Sequence, residues 1–101
     1  MCLEKSKNWF MKKFVIERIL PGASNLSEEE LRNITQTFNE VANKMDTPYT
    51  WVQSFITEDK IYCIHIAGSK EAIREHSKIA RFPIHTINEL KIIIDPTTGS
   101  I

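Results

Sequence analysis

Cysteine, glycine and proline are all scarce in this chain of 101 residues, which has two, three and four of them respectively. Two cysteines, Cys2 near one end and Cys63 inside an apolar run, do not make the disulfide framework of a small secreted domain, so a reducing compartment is expected. An excess of charge of one sign is also missing. Thirteen basic and 13 acidic side chains cancel, which removes the surplus of Lys and Arg that a nucleic-acid duplex or an anionic membrane requires. No window reaches the roughly 18 apolar residues of a membrane span. The opening stretch up to Phe10 has an early acid and scattered lysines instead of a signal peptide's apolar core. The expectation is a cytoplasmic protein with neither nucleic acid nor membrane as partner.

What is present is ordinary globular composition, 42% hydrophobic and 26% charged, with room for one core. Residues 1–12 read as an N-terminal extension, 13–98 as the domain and 99–101 as a tail. Phe14 to Leu20 is rich in β-formers and stops at Pro21-Gly22. Ser27 and Glu30 form a capping box, and Leu31, Ile34, Phe38, Val41 and Met45 make one apolar stripe at helical spacing. Tyr49–Thr57 and Lys60–Ala67 read as a hairpin split at Glu58-Asp59. Ser69 caps a second helix over Lys70–Ala80, which Pro83 stops. Leu90–Ile94 reads as the last strand. The order βαββαβ gives a ferredoxin-like α+β sandwich with an antiparallel 4-1-3-2 sheet and both helices on one face.

Alternation along the strands assigns Phe14, Ile16, Arg18, Val52, Ser54, Ile56, Tyr62, Ile64 and Ile66 to the helix side. Arg18, near its strand end, is expected to lift its charge into water. Val15, Glu17, Ile19, Trp51, Gln53, Phe55, Ile61, Cys63, His65 and Ala67 then share the open face. Large apolar groups there call for a cover, and a face-to-face homodimer is expected. On that face Glu17, Cys63 and His65 form a polar cluster whose groups are ligands for a divalent transition metal. The plainer reading makes Cys63 a small buried hydrophobe and His65 a hydrogen-bond partner of Glu17. His76 lies on the apolar stripe of the second helix and, on this assignment, across the sheet from His65. A nucleophilic Cys63 activated by His65 lacks an oxyanion hole. An enzyme using His65 and Glu17 as acid and base, on a small molecule held by Trp51, Phe55 and Tyr49, is the alternative. RNA recognition is rejected, because Lys60–Ala67 has no glycine and a single aromatic.

Several phrases carry a resemblance: Phe14-Val15-Ile16-Glu17-Arg18, Pro21-Gly22-Ala23, Trp51-Val52-Gln53-Ser54-Phe55, Asp59-Lys60-Ile61-Tyr62-Cys63, Arg74-Glu75-His76, Phe82-Pro83 and Ile94-Asp95-Pro96-Thr97-Thr98. Over about Lys13 to Thr98 the chain resembles the small nickel-binding ferredoxin-like proteins of bacteria. The resemblance implies a dimeric ferredoxin-like fold and nickel binding without a settled reaction. Glu17, Tyr62, Cys63, Glu75 and His76 match its phrases. His65 stands where an aromatic is more common, and Gln53 where a histidine can occur. The expected function is therefore binding of nickel or another divalent transition metal by a homodimer, with His65, Cys63, Glu17 and His76 as the candidate ligands.

Overall fold

The computed structural model describes residues 11–100; the segment up to Phe10, with Cys2, and Ile101 lie outside the described residues. Its elements are β1 (Lys12–Ile19), α1 (Glu28–Lys44), β2 (Tyr49–Ile56), β3 (Lys60–Ala67), α2 (Lys70–Ala80) and β4 (Thr86–Glu89). The strands form one antiparallel sheet in the order β2-β3-β1-β4. Both helices pack on one side of it, against each other and against β2 and β3. This is the expected ferredoxin-like architecture. No helix among the described residues is long and apolar enough to cross a membrane.

Local chemistry explains most boundaries. Gly22 adopts φ +76° in the turn that ends β1, a conformation a side chain would strain. Ser27 and Glu30 close both halves of the capping box at 3.1 and 3.0 Å, satisfying donors that the first helical turn leaves free. Ser27→Ala is expected to cost about 1 kcal/mol, measured as a lower denaturant midpoint with an unchanged slope. Phe38 and Val41 of the α1 stripe are buried, and Leu31, Ile34 and Met45 are partly so. Ser69 caps α2 through the Ala72 amide at 3.2 Å.

Three readings of the sequence are corrected. The last strand is Thr86–Glu89, not Leu90–Ile94. The chain follows β1 from the His85 amide on the Glu17 carbonyl to the Leu90 amide on the Lys13 carbonyl. Residues 91–94, with the isoleucine run, lie in no strand.

Strand three is turned over relative to expectation. Its buried set is Ile61, Cys63, His65 and Ala67, under the helices, while Tyr62, Ile64 and Ile66 are half-buried on the open face. Directly opposed residues of antiparallel strands share a face. Phe14 pairs with His65 and Ile16 with Cys63, so placing Phe14 and Ile16 inward already carried Cys63 and His65 with them.

In β2 a bulge at Val52 breaks the register. The extra residue puts Trp51 on the helix side with Ser54 and Ile56, and Val52 is exposed.

Candidate functional site

The inverted β3 brings His65 and His76 together in the core. Both are fully buried, and their ring centroids lie 5.3 Å apart, edge to face. Alternation on β3 aims His65 at the helices, while the position of His76 on the buried stripe of α2 aims it at the sheet. Tyr49, at the start of β2, joins them: its ring stacks on His76 at 4.6 Å, and its hydroxyl shares a 2.6 Å hydrogen bond with His65 Nδ1. Phe38 of α1 meets His65, His76, Trp51 and Phe82 edge to face.

The hydrogen bonds decide which ring atoms are free. His76 Nε2–H donates to the Phe38 carbonyl at 3.1 Å, which leaves its lone pair on Nδ1. His76 Nδ1 and His65 Nε2 are buried without a partner among the described residues. Burial pushes the His65 imidazole down to about 3, helped by His76 and by the Arg18 guanidinium. Burial also lowers His76, against the opposing bond to Phe38. Both rings are therefore neutral at pH 7. Burial raises the Tyr49 hydroxyl well above the ordinary phenol range, so it keeps its proton.

Beside the histidines sits a second polar group that contradicts an expectation. Arg18 does not reach water; it is fully buried. Its Nε donates to Cys63 Sγ at 3.4 Å, and its Nη1 donates to Ser77 Oγ at 3.0 Å and the Pro83 carbonyl at 3.1 Å. Nη2 is without a partner among the described residues. Ser77 and Pro83 flank the C-terminal end of α2, whose negative dipole end favours the cation. Cys63 also accepts from the Ser54 hydroxyl at 3.0 Å, and Ser54 in turn accepts from Trp51 Nε1 at 2.9 Å. Strand alternation hinted at Arg18, but nothing local to Ser54, Ser77 or Tyr49 marked them as its neighbours.

The expected cluster of Glu17 with Cys63 and His65 is not formed. Glu17 pairs with Tyr62 across the sheet and lies on the open face. There it accepts from Lys60 Nζ at 2.7 Å and from Thr86 at 3.1 Å. The bond to Lys60 lowers its carboxyl below the usual range. Glu75 is exposed on α2. The expected partition of His65 and His76 to opposite sides of the sheet is likewise overturned. A cavity of about 150 Å³ lies between α1 and the sheet, lined by Leu31, Phe38, Trp51, Ser54 and Ile61 among others. It is on the helix side and below the usual size of a small-molecule pocket.

A search of curated proteins returns no match. Among solved structures, SCO4226 from Streptomyces coelicolor A3(2) superposes with a TM-score of 0.69 at 18% identity, covering 81% of this chain and 99% of its own. At that identity the likeness is one of fold. A protein named YJCS superposes with a TM-score of 0.44 at 12% identity, covering 82% of this chain and 98% of its own. A family model described as "Nickel responsive protein SCO4226-like" matches residues 14–90. That span takes in every strand residue that carries the buried polar cluster and both helices, and the chain belongs to the SCO4226-like nickel-responsive family.

Proposed function

We propose that this protein binds a divalent transition-metal ion, nickel for preference, through the imidazoles of His65 and His76. The observation that carries the reading is the buried pair of neutral rings, each with one nitrogen engaged by the protein and the other without a partner among the described residues. Neutral imidazole is the ligand form for nickel, copper and zinc. A ligating histidine commonly donates its other N–H to a carbonyl or a similar oxygen, which fixes the ring. His76 does this to Phe38. His65 does so when its Nδ1–H donates to the Tyr49 oxygen, which frees Nε2.

Among the described residues no group of three or more His, Cys, Asp or Glu side chains is placed to hold an ion. One chain therefore contributes two imidazole ligands, and water or an added group fills the other positions. Cys63 is two residues away on the same face, but Arg18 and Ser54 already engage its sulfur. Glu17 takes no part. Arg18 opposes a second cation nearby and sets the affinity below that of an uncharged pocket.

Titration of reduced, metal-stripped protein with nickel and with zinc, followed by native mass spectrometry, tests this. One nickel ion per chain is expected, with uptake lost in the double variant His65→Gln, His76→Gln and kept in Glu17→Gln. Equal nickel uptake by the double variant and the unmodified protein would sink the reading.

A further inference from the structure

We propose that the cavity between α1 and the sheet is a binding site for a small neutral molecule of the phenol class, one aromatic ring carrying a hydroxyl. The inference does not depend on metal binding. Protein interiors leave few voids larger than a water molecule, whereas this one measures about 150 Å³. An apolar cavity of about that size accepts a benzene-sized ring. Its local cause is the bulge at Val52, which turns Trp51 to the helix side and makes Ser54 the next inward residue of β2. A serine at that position leaves a gap beneath α1 that a larger side chain would fill.

The lining selects the ring. Phe38 and Ile61, both buried, form the floor, and the exposed Thr35 and Ile56 stand at the mouth. Phe38 and Trp51 meet edge to face, 5.1 Å between ring centroids. They therefore offer the cavity an aromatic corner, against which a third ring packs in an edge-to-face or offset arrangement. Among the described residues no charged side chain lines the cavity. An ionised ligand would leave water there with no charge to pair with, so the occupant is neutral.

Ser54 supplies the polar contact. Its hydroxyl donates to Cys63 Sγ at 3.0 Å and accepts from Trp51 Nε1–H at 2.9 Å. A hydroxyl oxygen carries one donor and two lone pairs, so the donor is spent and one acceptor position is left. The ligand's polar group must therefore donate. A phenol O–H does so, while benzene brings the same ring without the donor.

Titration of the metal-stripped full chain with phenol, benzene and benzoate, followed by calorimetry and by the Trp51 Nε1–H resonance, tests this without touching the metal reading. One phenol per chain is expected, bound roughly fivefold tighter than benzene for the one added hydrogen bond, with a shift of the Trp51 resonance and no uptake of benzoate. In Ser54→Ala the affinity for phenol is expected to fall to that for benzene while benzene still binds, which separates loss of the acceptor from collapse of the cavity. Leu31→Trp, which fills the cavity from the α1 side, is expected to abolish uptake of both rings. An unmodified chain without saturable phenol uptake overturns the proposal, as does one that takes benzene or benzoate as tightly as phenol. A preference for phenol that survives in Ser54→Ala, or phenol uptake undiminished in Leu31→Trp, also overturns it.

Discussion

Arg18→Ala is expected to lower the unfolding free energy by about 3–5 kcal/mol, a large share of a small domain's stability. The substitution empties the centre of the core, and it removes the donors that serve Cys63, Ser77 and the Pro83 carbonyl. It also takes away the cation stacked on Phe38 at 5.3 Å from the ring centroid. Arg18→Met should lose less. It keeps most of the volume and relieves the fold of a desolvated charge that no carboxylate among the described residues bonds. Denaturant unfolding of the two variants measures this, and a loss below about 1 kcal/mol in Arg18→Ala would show that the guanidinium does not hold the core. In Arg18→Met the His65 ring should titrate at higher pH, because one cause of its depression has been removed.

Acidification is expected to destabilise the protein steadily below neutral pH. In the unfolded chain His65 takes up a proton near pH 6.5, whereas in the fold it does so only at about 3. Between those values the unfolded state binds more protons, so stability rises with pH through the window and is complete above it. The loss on descending through the whole window is on the order of 4 kcal/mol, about 1.4 kcal/mol per pH unit. His76 is shifted in the same direction and adds to the slope. Unfolding free energies at several values between pH 7.5 and 4 check this against His65→Gln, in which the slope should flatten. An identical slope in that variant would assign the pH dependence to other groups.

The sequence by itself determined the elements whose causes are local. The α1 capping box, its apolar stripe, the Ser69 cap and the Pro21-Gly22 turn each depend on residues within a few positions of one another. Together with the order of elements they fix a ferredoxin-like sheet, and the phrases along the chain point to its nickel-associated family. The candidate ligands His65 and His76 were also legible as chemistry, though not as neighbours.

Tertiary structure decided which way strand three faces, and that reversal makes the site. Tyr62, Ile64 and Ile66 are the more apolar set, so hydropathy sent them inward. Pairing with β1 overrules hydropathy, because Phe14 and Ile16 cannot lie under the helices without His65 and Cys63 beside them. The single extra residue at Val52 then turns Trp51 inward. The Leu90–Ile94 run has the composition of a strand, but pairing with β1 selects Thr86–Glu89 instead. These outcomes rest on contacts between residues far apart in sequence, and periodicity within one segment carries no information about the register of its neighbour.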